Sequence, residues 1–278
     1  SRGRRCGSAE RPRPTRQANR KPTSVGAPLH AQVHVNPMNG GLSHLFPVIL
    51  VAALGALALA PISARLARGL ALVDLPGSAP HKQHENAVPL AGGPVLALAV
   101  GLAFAILAVP IGDLVRGILL GSLIILVWGL LDDRFRLRAR SKLLGQLAAA
   151  LVLLAFGVQV RITQVPWLDY GLTFLWIVGL INAFNFVDSM DGLALGLAAI
   201  GLAFFMLVTL DAGQPELAAL AAAGLGAALG LYFYNSTPAS MFLGDSGAQL
   251  LGFGLAGIGI AYVPAGAGLP QGVTWFTP

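Results

Sequence analysis

The chain has 278 residues, of which 55% are hydrophobic and 11% charged, with a mean hydropathy of +0.73. A soluble domain carries about 25% charged residues, so this composition leaves too little polar surface to clothe a soluble globule. The single cysteine, Cys6, excludes an internal disulfide and a cysteine-built metal site, and the net charge of +6 gives no ground for nucleic-acid binding because it is lodged in the N-terminal stretch.

Residues 1–38 hold eight of the Lys/Arg residues and one acid, Glu10; without them, ten bases face eleven acids. This tail is polar, rich in Pro and Arg and without periodicity, which is the signature of disorder. It reads either as a basic arm touching anionic lipid or as non-native upstream sequence ahead of a start at Met38, the second being favoured. The segment after Met38 lacks a basic n-region, and Ala58-Leu59-Ala60 is followed by Pro61. The first apolar run is therefore an uncleaved helix rather than a signal peptide, and residues 39–278 form one membrane-embedded domain.

A spanning helix needs about 20 mostly apolar residues. Eight candidates follow in order: 45–66, 91–110, 114–131, 143–160, 171–187, 192–210, 216–234 and 247–264. Three are short enough to be tilted or partly buried. Gly and Ala recur throughout, as expected where membrane helices pack closely. The fold class is all-α, a polytopic transmembrane bundle.

Loops after helices 1, 3, 5 and 7 contain Arg65, Arg68, Lys82, Arg134, Arg136, Arg138, Arg140 and Lys142; the opposite set has Arg116 and Arg161. This asymmetry places the first set in the cytoplasm. Each dense polar cluster falls on that same side.

The first cluster runs from Val73-Asp74-Leu75-Pro76 through His81-Lys82-Gln83-His84 to Pro89-Leu90-Ala91-Gly92-Gly93-Pro94. Its Pro and Gly residues make it a shaped loop. Lys82 and His84 are suited to phosphate, although turn residues and a positive-inside bias also account for it. The second is Asp132-Asp133-Arg134, followed by Arg136, Arg138, Arg140 and Lys142. Adjacent carboxylates at a membrane boundary are costly unless solvated or paired. They suit a divalent cation or a general base, and the cations after them suit phosphates or lipid headgroups. A solvated helix end with an orienting basic stretch is the plainer alternative.

The third cluster is Asn182-Ala183-Phe184-Asn185-Phe186-Val187-Asp188-Ser189-Met190-Asp191-Gly192. Successive polar residues are three apart, which places them along one face if the fifth helix continues through them. Such oxygen ligands suit Mg²⁺. The fourth comprises Asn235-Ser236-Thr237-Pro238 and Gly244-Asp245-Ser246-Gly247. Its glycines permit close approach of backbone to a ligand, Asp245 is a natural metal ligand, and the following helix N-terminus favours phosphate.

From about Leu70 to Phe253, these four clusters in this order resemble the polyprenyl-phosphate N-acetylhexosamine-1-phosphate transferases, a family related to the phospho-N-acetylmuramoyl-pentapeptide transferases. The resemblance rests on the Asp-x-Pro…His…Pro-x-x-Gly-Gly loop, Asp132-Asp133-Arg134, Asn182-x-x-Asn185-x-x-Asp188-x-x-Asp191-Gly192 and Gly244-Asp245-x-Gly247. It implies transfer of a sugar-1-phosphate from a UDP-sugar to a polyprenyl phosphate, with release of UMP. It further implies a cytoplasmic active site at the bacterial plasma membrane and a requirement for Mg²⁺, with Mn²⁺ as a substitute; a homodimer is compatible with it. By the same resemblance Asn185 and Asp245 contact the metal, and Asp132 and Asp133 are the catalytic pair beside the acceptor phosphate. Lys82, His84, Arg134, Lys142, Asn182, Asp188 and Asp191 bind substrate.

Three departures stand out. Leu90 occupies a position where many members carry Arg, Ser189-Met190 replaces the commoner Gly-Leu, and the chain stops at Pro278, ahead of the family's His-rich loop. It is therefore expected to be C-terminally incomplete relative to the family. The first loop looks nearer the N-acetylglucosamine-1-phosphate branch than the lipid-I-forming one. The competing readings are a transporter, which calls for repeats and mid-membrane polar groups, and an inactive lipid-binding fragment.

Overall fold

The structure, a computed structural model, describes residues 41–75, 87–163 and 165–264. The tail at residues 1–38 lies outside the described residues, as do Lys82 and His84. Eight helices follow in chain order: α1 Gly41–Gly69, α2 Gly92–Ile106, α3 Asp113–Phe135, α4 Ala139–Ala155, α5 Pro166–Val187, α6 Leu193–Asp211, α7 Pro215–Asn235 and α8 Gly244–Ala261. All eight expected helices are present. Two boundaries move in a way that matters: α5 begins at Pro166, whose fixed φ suits a first helical position, and α8 begins at Gly244, which brings Asp245 into its first turn.

Five of these helices, α1, α3, α5, α6 and α7, are long and apolar enough to cross a membrane. Large apolar side chains point outward along them, including Phe46, Leu175, Ile200 and Phe233, which are between 64% and 72% exposed. Water would not tolerate such a surface, whereas hydrocarbon does. The chain is a multi-pass membrane protein. The centre of the bundle belongs to α7 and α8; α8 is buried along nearly its whole length from Ser246 to Ala261.

Glycine permits that centre. A Cβ on Gly226 or Gly230 of α7 would collide with the carbonyl oxygen of Ile49 or Ala53 on α1. On α8, a Cβ at Gly252 would lie 2.6 Å from the carbonyl oxygen of Leu180 on α5. Helix packing in lipid lacks a hydrophobic drive and depends on such close backbone approach.

The two ends of the bundle differ. At one end, β1 (Val73–Asp74) pairs antiparallel with β2 (Val88–Pro89), in the register Val73↔Pro89 and Asp74↔Val88. Leu90 then bridges to Phe242, and the carbonyl oxygen of Phe242 accepts hydrogen bonds from the N–H groups of Ala91 and Gly92. The shaped first loop is thus tied to the segment ahead of α8. The opposite end is fastened by isolated side-chain contacts to the backbone. Glu216 accepts the Gly112 N–H at 2.7 Å, and Asp169 accepts those of Ile162 and Thr163 at 3.1 and 2.9 Å.

Replacing Gly226 with Val should force α1 away from α7 and destabilise the protein by about 1–3 kcal/mol. Thermal unfolding of the detergent-solubilised protein measures this; an unchanged midpoint would show that the α1–α7 contact is not close.

Candidate active site

The loops after α1, α3, α5 and α7 meet at one end of the bundle around a cavity of about 780 Å³. Its wall includes Asp74, Asp132, Asp133, Arg136, Lys142, Asn185, Asp188, Asp191, Asn235 and Asp245. Six carboxylates from the four sequence clusters, Asp74, Asp132, Asp133, Asp188, Asp191 and Asp245, therefore face a single space, together with one ammonium and one guanidinium.

Helix α3 delivers the Asp132-Asp133 pair, and the two carboxylates have separate partners. Asp133 turns to α8, where it accepts the N–H of Asp245 at 2.7 Å and of Ser246 at 3.2 Å. These are orphan donors of a helix start, and a carboxylate is a favourable partner for them. Gly244 has φ +70°, and a Cβ there would lie 2.7 Å from an Asp133 carboxylate oxygen. The close approach that this glycine permits is thus made by Asp133. Two of the first N–H groups of α8, those of Asp245 and Ser246, are taken by a carboxylate of the protein.

Asp132 is buried and turns the other way. One oxygen accepts the Leu137 N–H at 2.8 Å, closing the turn in which Arg136 adopts a left-handed conformation. The other is ion-paired with Lys142. The Lys142 ammonium also donates to Asp245 at 2.7 Å. A single cation therefore bridges carboxylates from α3 and α8.

Helix α5 continues only to Val187, so the third cluster divides. Asn185, within the helix, lines the cavity; Asp188 caps the helix, and Asp191 lies in the turn beyond it. Asn182 is not on the cavity wall. It bonds to Gln146 on α4 and to the Val178 carbonyl. Asp191 is exposed and accepts the Ala239 N–H at 3.2 Å. Asn235 staples the loops, accepting the Gly192 N–H at 3.1 Å and donating to the Met241 carbonyl at 3.0 Å. Arg134 is exposed, with its guanidinium 5.6 Å from the Phe135 ring centroid, whereas Arg136 lines the cavity. Burial, followed by the negative charges of Asp245, Asp133 and Asp191, pushes Asp188 up to about 8.

Among the described residues no three His, Cys, Asp or Glu side chains converge tightly enough to cage a metal ion. That arrangement still suits Mg²⁺, which keeps waters and takes substrate phosphate oxygens rather than demanding an all-protein shell. Asp188, Asp191 and Asp245 bring negative charge to one cavity wall, where a divalent cation would be accommodated. Asn185, Asp188 and Asp245 are the side chains suited to hold it.

The match to known proteins follows this architecture. The model for glycosyl transferase family 4 matches residues 115–263, more than half of the chain. The chain belongs to glycosyl transferase family 4. It is 35% identical over 239 residues to a probable undecaprenyl-phosphate N-acetylglucosaminyl 1-phosphate transferase of Bacillus subtilis, covering 82% of this chain and 64% of that protein. It is 33% identical over 240 residues to a phospho-N-acetylmuramoyl-pentapeptide-transferase of Symbiobacterium thermophilum, covering 76% and 72%. With a decaprenyl-phosphate N-acetylglucosaminephosphotransferase of Mycobacterium tuberculosis it shares 35% identity over 202 residues, covering 62% and 50%. The resemblance drawn from the four motifs is borne out at the level of the family.

The polar pair Gln146 and Gln249 escaped notice in the sequence. The available signal was a lone amide in each of two apolar helices, which in lipid is rarely idle.

Asp133→Ala should remove the acceptor for two α8 N–H groups and destabilise the fold by about 1–2 kcal/mol. Asp191→Ala, which loses one exposed contact, should stay within about 0.5 kcal/mol of the parent. Equal losses in thermal unfolding would contradict the capping role of Asp133.

Proposed function

We propose that the chain transfers N-acetylglucosamine-1-phosphate from its UDP derivative to a polyprenyl phosphate at the cytoplasmic face of a bacterial plasma membrane. The observation that carries this reading is the meeting of Lys142, Asp245, Asp188 and Asn185 on one cavity at one end of the helix bundle. It is supported by the names of the Bacillus and Mycobacterium relatives, both N-acetylglucosamine phosphotransferases acting on polyprenyl phosphates.

Both substrates bring phosphate, and one of them is anchored in lipid. A cavity at the end of a membrane bundle lets the lipid phosphate enter from the bilayer edge and the nucleotide from water. In the proposed step, an oxygen of the lipid phosphate attacks the phosphorus bonded to the sugar; the bond from that phosphorus to the bridging oxygen breaks, and UMP departs with that oxygen. Such transfer depends on alignment and charge neutralisation more than on covalent help. Lys142 is the cation placed to leave Asp245 for a phosphate oxygen. Asp132 keeps the ammonium in place while it does so. Asp133 acts as a positioning residue, because its carboxylate is engaged with the start of α8. No base is required, since a lipid phosphate is already largely anionic at neutral pH. A divalent cation, when bound, polarises the diphosphate and stabilises the departing UMP.

A transporter calls for its polar chemistry near mid-membrane; here the charged groups gather at one end.

The test is UMP release from UDP-N-acetylglucosamine with undecaprenyl phosphate and Mg²⁺, using the chain continued to its natural stop codon and its Asp245→Asn variant. Release should require both lipid and Mg²⁺ and fall by at least about a hundredfold in the variant. Silence across UDP-sugars would sink the transferase reading.

A further inference from the structure

Beneath the cavity lies a second polar system that contributes nothing to its wall. Gln146 on α4 and Gln249 on α8 are 2% and 3% exposed. Gln146 donates from its amide nitrogen to the amide oxygen of Gln249 at 3.3 Å and to that of Asn182 on α5 at 3.5 Å. Asn182 returns a bond to the Gln146 oxygen at 2.9 Å and is itself held by the Val178 carbonyl at 2.7 Å. One amide network thus joins three helices; its two glutamines are buried, where an unpaired amide is costly, and Asn182 holds them from the surface.

Its spacing relates it to the cavity. Gln146 follows Lys142 by four residues on α4, and Gln249 follows Asp245 by four residues on α8. Residues four apart share a helix face. The Lys142–Asp245 ion pair and the Gln146–Gln249 hydrogen bond are therefore successive rungs between the same two helices, the ionic one at the cavity and the amide one a turn further in. Helix α4 packs mainly on α3 and α5, so these rungs are its principal polar links to α8.

The two rungs meet different fates during turnover. The ionic rung must open when Lys142 turns to a phosphate and Asp245 turns to a cation. The amide rung is sealed from both. We propose that the Gln146–Gln249 rung, braced by Asn182, is a positioning device that preserves the rotation and axial register of α4 against α8 while the Lys142–Asp245 pair is open. Lys142 and Asp245 then remain at the cavity, ready for the next substrate. The inference rests on the reading of this cavity as the transferase site.

Gln249→Met keeps the side-chain length and removes the acceptor; Gln249→Glu keeps an oxygen in reach of Gln146. In the chain continued to its natural stop codon, Gln249→Met should lower kcat by about tenfold through loss of alignment, with KM for the UDP-sugar within about twofold. Gln249→Glu should restore most of kcat. A purely structural brace would lower the thermal midpoint and leave kcat of the folded protein unchanged, and that result overturns the proposal. A second measurement needs no turnover: thermal midpoints of the parent, Lys142→Met, Gln249→Met and the double variant. If either rung holds the register alone, the double variant loses more than the two single losses combined; additive losses overturn the proposal. Failure of the parent to release UMP would defeat the transferase reading by itself and leave this cycle to decide the rung.

Discussion

Asp133 accepts hydrogen bonds from the first N–H groups of α8, and the placement of the remaining polar groups depends on this contact. It joins α3 to the most buried helix of the bundle at the membrane boundary. It sets Asp245 at the edge of the cavity, within reach of Lys142. It also explains Gly244, since no side chain fits between the helix start and the carboxylate. The neighbouring Asp132 then faces away from α8 and becomes the anchor of Lys142. Two adjacent aspartates on one helix thereby serve different partners, one a set of backbone dipoles and the other a cation.

The cavity is electrostatically unfinished on its acidic side. Lys142 bridges Asp132 and Asp245 with a single positive charge, and burial, followed by the nearby carboxylates, pushes the Asp188 carboxyl up to about 8. Such a distribution suits a divalent cation and a diphosphate arriving together, each correcting the other's charge. It also accounts for the one-sidedness of the molecule. A lipid-facing surface admits little charge, so charged groups gather where loops reach water. At the opposite end Glu216, Asp169 and Gln214 fasten the turns.

The helices were legible because long apolar runs in lipid have few alternatives to a helix, and the gathering of the loops after α1, α3, α5 and α7 at one end was legible because the dense polar clusters fall in them. The residue types of the third and fourth clusters singled out Asp188, Asp245 and Asn185, and the structure brings them to a shared cavity. What could not be read was which polar group faces which. Asp133 meets Asp245 across 112 residues, and Gln146 meets Gln249 across 103; no local period encodes either pairing. The three-residue spacing in the third cluster pointed to a single face, yet α5 stops at Val187, and Asn182 turns to α4 while Asn185 turns to the cavity. Arg136 replaced Arg134 on the wall because a left-handed residue at the end of α3 reverses the chain there.

The most direct measurement is an anomalous-diffraction map of the protein crystallised with Mn²⁺ and UDP-N-acetylglucosamine. A manganese peak beside Asp245, with the Lys142 ammonium moved from that carboxylate onto a phosphate oxygen, is the expected result. A manganese ion bound elsewhere, with Lys142 still bridging Asp132 and Asp245 and no nucleotide in the cavity, would contradict the assignment of this cavity as the site of phosphate transfer.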